Sequence, residues 1–358
     1  MSDVHNTLES FLIDRIRQKG VMDLGAFLTQ AMTNPDFGYY TQRDPLGKDG
    51  DFTTAPEISQ IFGELIGAWV VDVWMQMGQP EFNLIECGPG RGTLMADIMR
   101  VACKVEGFTD KAHIRLIEAR SVLRITQGEN LSDYDVTWYD ELSEVKRDMP
   151  CIIIGNEFLD ALPIEQLKRG ESGWQKRILT VTEDNKLSFD WSEADADLRS
   201  YLPSRTESGE TYEVSPARVG FTKECAGLIK EVQGAALMID YGHTQRHHGD
   251  TLQAIRAHKY SNILDDIGQS DITSHIDFDA LLQAIQGQGV SQMPCVTQRH
   301  FLMTLGIDIR ANALSKANPD RGQTIGEDVE RLIGREQMGE LFKVMCFYSG
   351  DMTPCGFE

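Results

Sequence analysis

The chain has 358 residues, 55 acidic against 34 basic for a formal charge of −21, and is 41% hydrophobic. That length exceeds a bare Rossmann domain and predicts a core with a second lobe or large insertions. So negative a surface disfavours nucleic-acid phosphates and anionic membranes, and it tolerates a basic protein partner. The seven cysteines (Cys87, Cys103, Cys151, Cys225, Cys295, Cys346 and Cys355) contain no C-x-x-C. They predict reduced thiols in a reducing compartment, without a disulfide frame or zinc site. The first residues read as neither a signal peptide nor an Arg-rich transit peptide. The longest apolar run, from Ile66 to Met77, is broken by Asp72 and is short of membrane-spanning length.

Residues 7–19 and 23–32 are predicted amphipathic helices, followed by a turn at 34–38 and a polar loop at 44–50. In Gly50-Asp51-Phe52-Thr53-Thr54-Ala55-Pro56-Glu57-Ile58-Ser59, Thr54 and Glu57 have capping-box spacing and Pro56 suits a first turn. Ile61, Phe62, Leu65, Trp69, Val70 and Val73 carry that helix onward as a broad apolar stripe. A functional role for Thr54 and Glu57 requires this loop to fold over the glycine turn that follows.

That turn is Glu86-Cys87-Gly88-Pro89-Gly90-Arg91-Gly92-Thr93-Leu94, preceded by the buried-strand pattern Phe82-Asn83-Leu84-Ile85. After it, Leu94, Ile98, Val101, Ala102 and Val105 recur at helical spacing. The glycines permit a tight bend and close ligand approach, and the helix N-terminus offers unpaired N–H groups. The dinucleotide fingerprint wants a glycine where Thr93 stands and an acid about 20 residues on. Here the next acidic strand end is Glu118, 30 residues after Gly88. A carboxylate at that place accepts both ribose hydroxyls of any adenosine ligand.

The alternation continues with strands at 114–119, at 136–139 ending in Asp140, and at 151–155, with a helix of about three turns after the first of them. Ligands bind beyond the carboxyl ends of such strands, so Glu157 and Asp160 are expected at the rim that holds Gly90 and Glu118. The period then changes. Residues 164–169, 174–182 and 186–191 read as a meander with a hairpin turn at 183–185, and 192–210 as a polar, acidic stretch. Residues 211–216 enter a helix that runs to about 232, and 235–242 is a buried strand tipped by Asp240. The region 243–276 reads as loop, helices begin at Phe278, Phe301 and Asp328, and 341–348 is a final strand. His243, His247 and His248 cluster in that loop, where the polar context and the lack of a nearby carboxylate on regular structure favour solvation over a metal site. His275, beside Asp277, suits either substrate orientation or capping. The domain plan is an N-terminal helical segment covering the cofactor site (1–80), the first half of the core (81–163), a meander insertion (164–210), a return to the core sheet (211–242) and C-terminal loops, helices and last strand (243–358).

The block from Gly50 to Ser59, the glycine turn, Asn156-Glu157-Phe158-Leu159-Asp160-Ala161-Leu162-Pro163, Asp240-Tyr241-Gly242 and the stretch from Asp271 to Phe278 together resemble the MidA family of S-adenosyl-L-methionine-dependent methyltransferases. The resemblance covers nearly the whole chain. It implies an α/β fold with a Rossmann-type class I methyltransferase core and a mostly parallel sheet, S-adenosyl-L-methionine as cofactor, and no metal. It also implies a protein substrate methylated on arginine. The family's mitochondrial members are assembly factors of respiratory complex I, implied to act on an arginine of a core subunit. Cofactor contacts are expected from Thr53, Thr54, Glu86, Gly88, Pro89, Gly90, Gly92, Glu118, Asp140 and Asn156.

Arginine stays protonated at neutral pH and presents a rigid donor fork, which carboxylates grip bidentately. Glu157 is the first candidate for such a clamp, and Asp160 and Glu213 complete the candidate catalytic set. For the last two, capping is an equal or better account. Lacking a transit-peptide pattern, the chain reads as a bacterial cytoplasmic member, with the mitochondrial matrix as the alternative and a homodimer left open. Neither nucleic acid nor membrane insertion is expected. Two other readings stand beside this one. One is an S-adenosyl-L-methionine-binding assembly chaperone with secondary catalysis; the other is a nicotinamide-dependent oxidoreductase, which Thr93 disfavours.

Overall fold

The computed structural model describes residues 6–42, 54–171, 173–256 and 259–358. The chain forms two compact units, Thr53–Leu159 with Phe221–Gln245 and Ile276–Glu358, and Met1–Phe52 with Asp160–Gly220 and Arg246–His275.

The larger unit is built on strands β1 (Phe82–Cys87), β2 (Ala112–Ile117), β3 (Val136–Tyr139), β4 (Cys151–Asn156), β5 (Gly234–His243) and β6 (Phe342–Ser349). Their order across the sheet is β6-β5-β4-β1-β2-β3. All neighbours are parallel except β6, which runs antiparallel to β5. Every residue of β1 and β4 is buried, as strands covered on both faces require. From β1 the chain steps outward to β2 and β3, and from β4 it steps the other way to β5. The order therefore reverses between β1 and β4, and the crevice beyond their carboxyl ends is where a sheet of this kind binds its ligand.

Around the sheet lie α1 (Ala55–Ile58), α2 (Gln60–Gln76), α3 (Thr93–Ala102) and α4 (Ser121–Asn130). Helix α2 is buried on most of its circumference. Two glycines one turn apart let α3 lie against it closely. A Cβ at Gly63 would fall 2.4 Å from Asp97 Cβ, and one at Gly67 would fall 2.9 Å from the Ile98 carbonyl oxygen. The C-terminal helices Gln298–Thr304, Ile307–Ala317 and Gly322–Ile333 close the same core through Phe301, Leu302, Ile307, Ile325 and Leu332.

The smaller unit holds an antiparallel sheet in the order Met22–Asp23, Gly173–Val181, Glu165–Gly170, Thr211–Val214, with Leu187–Glu193 paired to Gly173–Val181. The helices Leu8–Lys19 and Leu24–Thr33 contribute Leu12, Leu24 and Phe27 to its core, alongside Ile164 and Leu179. Thr7 caps the first helix, its hydroxyl oxygen accepting the Ser10 amide at 3.2 Å.

Several expectations are corrected. The helix expected to run from Thr54 through Val73 is two helices, because Ser59 is extended (φ −153°, ψ 132°) and its hydroxyl caps the second. Thr54 occupies the N-cap position of α1 but makes no side-chain capping bond, so no capping box forms with Glu57. Region 243–276 is not simply loop. Lys259–Ser261, Gln253–Arg256 and Asp271–Thr273 form a three-stranded antiparallel sheet, whose strands are too short to show alternation. The helices expected at Phe301 and Asp328 begin earlier, at Gln298 and Gly322, and the helix Ile307–Ala317 is additional to those expected. The compact units also cut the chain elsewhere than the domain plan does. Segment 1–80 is divided at Phe52, residues 211–220 go with the meander, and 246–275 leave the C-terminal region for the smaller unit.

Substituting Gly63→Ala is expected to destabilise the protein by about 1–3 kcal/mol, because the methyl must push α2 and α3 apart. Urea denaturation of the two proteins measures it. Unchanged stability would mean that the helices part at no cost.

Candidate active site

The site assembles at the β1–β4 reversal. The turn after β1 is left-handed at Gly88, Gly90 and Gly92, with φ of 67°, 54° and 82°. Side chains are disfavoured in that region, so glycine is required here for the bend itself. A Cβ at Gly88 would also lie 2.9 Å from Phe158 Cδ2. The Gly92 amide donates to the Pro89 carbonyl at 2.7 Å, and Gly92 is the N-cap of α3. Pro89 is buried within the turn, whereas Gly88 is exposed.

Glu86, the last acid before the turn, is fully buried. Burial pushes its carboxyl up to about 8, against the pull of the Met95 amide. Its Oε2 has no hydrogen-bond partner among the described residues, and neither has the buried Asn156 Oδ1. Asn156 Oδ1 is an acceptor without a donor, and Glu86 becomes one when a cation such as an ammonium favours its ionised form, so the pair complements a ligand that carries an ammonium and hydroxyl groups. With the glycine bend, they fit an adenosyl amino acid.

Glu118 follows β2 and is 6% exposed. Its Oε1 accepts the Arg120 amide and Arg120 Nε, both at 3.0 Å, and its Oε2 accepts Gln127 Nε2 at 3.4 Å. Asp140, exposed after β3, pairs with Arg124 Nη2, while Arg124 Nε donates to the Glu118 carbonyl at 2.7 Å. Arg124 thus ties the loop after β3 to that after β2.

Glu157, beyond β4, is a non-glycine residue in left-handed backbone (φ 48°). Its Oε1 accepts the Ala55 amide at 3.0 Å and Asn156 Nδ2 at 3.1 Å. Thr93 Oγ1 in turn donates to Glu57 Oε1 at 2.6 Å. The short helix α1 is therefore pinned twice, by the β4 loop through Ala55 and by the start of α3 through Glu57. This bond to Thr93 is what takes the Glu57 carboxylate in place of the capping box, and it brings the segment from Thr54 against the glycine turn. Thr53 lies outside the described residues.

The other two candidate catalytic residues belong to the smaller unit. Glu213 accepts from Gln166 Nε2 at 2.8 Å, from the Thr251 and Leu252 amides at 3.0 and 3.2 Å, and from the Thr251 hydroxyl. Burial raises its carboxyl against those donors. The Asp160 carbonyl accepts from Arg218 Nη2 at 3.2 Å. His248 Nδ1 lies 2.8 Å from Glu210 Oε1, a carboxylate that stands in loop just before the strand Thr211–Val214 rather than on regular structure. No group of three His, Cys, Asp or Glu is placed to hold a metal among the described residues. Asp277 caps the helix Phe278–Ile285 by accepting the Ala280 amide. Sequence reasoning missed Arg120, Arg124 and Gln127. Helix α4 brings the last two to Glu118, and no motif spacing marks them.

The family model for Methyltransf_28, described as S-adenosyl-L-methionine-dependent methyltransferases, matches residues 65–294. The protein arginine methyltransferase NDUFAF7, mitochondrial, of Danio rerio is 34% identical over 96% of this chain and 87% of its own length. The Homo sapiens protein of the same name is 31% identical over 92% and 81% respectively. A crystal structure from Burkholderia thailandensis, bound to S-adenosyl-homocysteine, aligns with a TM-score of 0.85 at 25% identity, covering 97% of this chain and 93% of that one. These matches decide between the adenosyl-sulfonium and nicotinamide readings in favour of the first.

The buried Glu86 carboxyl sets a pH dependence. Between its ordinary value of 4.5 and about 8, the folded protein holds more protons at this position than the unfolded chain. Stability contributed here is therefore lost as pH rises through that window. Without ligand, Glu86→Gln is expected to match the parent at about pH 4 and to exceed it by about 1–4 kcal/mol at about pH 8. Urea unfolding at the two pH values reads the difference; equal stability at both would show that Glu86 ionises normally.

Proposed function

The chain belongs to the Methyltransf_28 (MidA) family of S-adenosyl-L-methionine-dependent methyltransferases, and on that premise we propose that it methylates an arginine side chain of a protein client. It is an enzyme with a class I methyltransferase core, and its cofactor is S-adenosyl-L-methionine. The arginine reading draws on the relatives named protein arginine methyltransferase and on one geometric observation, the placement of Glu157. Its carboxylate stands beyond β4 at the sheet's reversal, fixed by Ala55 and Asn156 and by a backbone conformation that non-glycine residues rarely adopt. We extend the reading to a core subunit of respiratory complex I as client, on the family resemblance of the sequence blocks. The seven free cysteines suit a reducing compartment, the bacterial cytoplasm or the mitochondrial matrix.

The bound cofactor supplies an electrophilic methyl group on a sulfonium. The turn from Gly88 to Gly92 offers it backbone rather than a nucleophile, and no covalent step on the chain is needed. The chain's task is alignment and exclusion of water. A guanidinium must have its positive charge held on one side so that its other terminal nitrogen can attack. Glu157 grips that side through charge-assisted hydrogen bonds. The proton released on methyl transfer passes to Glu157 or to water. Glu157 leads the candidate set because Glu213 already carries four donors in its own unit. Asp160, three residues on in the chain, is the second candidate.

Glu157→Gln keeps a carbonyl oxygen for the Ala55 amide and loses the charge. It is expected to bind S-adenosyl-L-methionine like the parent and to methylate about a hundredfold more slowly. The assay is mass spectrometry of arginine peptides from a complex I core subunit, with lysine-substituted peptides as control. Full-rate methylation by the variant removes Glu157 from the mechanism, and equal labelling of the lysine peptides removes arginine as the target.

A further inference from the structure

Gln127 on α4 has no exposed surface, and its amide makes three contacts. Trp138 Nε1 donates to its Oε1 at 2.8 Å, and its Nε2 donates to the Gly90 carbonyl at 2.8 Å and to Glu118 Oε2 at 3.4 Å. An indole N–H can only donate and a peptide carbonyl can only accept, so the amide has a single orientation. Both of its hydrogens then point at groups on the cofactor side, one on the glycine turn after β1 and one on the acid after β2. Helix α4 also runs beside the turn at Gly92, where a Cβ would be in ordinary contact with Gln127 Cα at 3.4 Å.

We propose that Gln127 is a positioning residue for the adenosyl ligand, holding the Gly90 carbonyl and the Glu118 carboxylate in fixed relation. This rests on the assignment of Glu118 to the ribose hydroxyls. Arg120, another partner of Glu118, reaches it with a side chain 26% exposed. Gln127 is the fully buried donor, oriented by Trp138. Removing its amide leaves the Gly90 carbonyl and the Trp138 N–H without that partner and takes from Glu118 Oε2 one of its two donors among the described residues, the other being Arg120 Nη2 at 3.4 Å.

The test is calorimetry with S-adenosyl-homocysteine and its 2′-deoxy analogue, on the full chain. Gln127→Met keeps the side-chain length and removes the amide. It is expected to weaken S-adenosyl-homocysteine by about tenfold or more. The penalty should shrink to about threefold or less for the deoxy analogue, and likewise when Gln127→Met is made in a Glu118→Gln background. An equal penalty for both ligands, additive with Glu118→Gln, overturns the proposal and leaves Gln127 a packing residue. If Gln127→Met does not fold, Trp138→Phe, which removes the N–H at Oε1, must show the same ligand-dependent pattern in smaller size; its absence overturns the proposal. Glu118→Gln alone separates the two ideas. If it leaves S-adenosyl-homocysteine binding unchanged, the ribose assignment itself fails.

Discussion

Three left-handed residues in five positions, Gly88, Gly90 and Gly92, are the constraint on which the site depends. The bend turns the chain from a strand buried on both faces directly into α3. It brings backbone, not side chain, to the crevice beyond the sheet. The Phe158 ring packs where a Cβ at Gly88 would otherwise be, and Gln127 stands at ordinary contact distance from Gly92. The bend is thereby wedged between the loop after β4 and helix α4, and its shape is held by tertiary packing as well as by glycine's conformational freedom.

Around that bend the protein buries carboxyl groups that stability alone would not select. Glu86 lies wholly out of water with one oxygen unpartnered, and Asp97 in α3 is pushed up to about 6 by burial despite its contact with Arg100. Desolvated acids of this kind cost folding free energy; Glu86 ends the strand before the bend, whereas Asp97 lies where α3 packs on Gly63 of α2. Glu57 and Glu157 are treated differently. Each is held by a specific donor, Thr93 or Ala55, and together they fasten α1 to the start of α3 and to the loop after β4. The smaller unit uses its acids for cohesion: Glu213 gathers donors from Gln166, Thr251 and Leu252, and Glu165 accepts the Gly25 amide at the start of a helix.

Much of this is legible in the sequence. Strands with no exposed face read as unbroken apolar runs, which is why Cys151–Asn156 and the strand before the glycine turn can be placed without coordinates. The meander shows through its period of two and its hairpin at Asn185, which has φ 63°. The three-stranded sheet of residues 253–273 does not show, because strands of three or four residues are too short to carry a period. The break at Ser59 is hidden too: a serine between two helical patterns looks the same whether the chain continues or turns.

By itself the sequence determined the glycine bend, the acid at the end of each of the first strands and the alternation that makes the sheet mostly parallel, since these follow from local backbone freedom and burial pattern. Only the tertiary structure decided which polar groups meet. Gln127 reaches Gly90 across 37 positions, Thr93 reaches Glu57 across 36, and Glu157 reaches Ala55 across 102. Such pairings are set by how helices and loops pack on the sheet, and a hydrogen bond between distant residues leaves no spacing in the chain by which it could be foreseen.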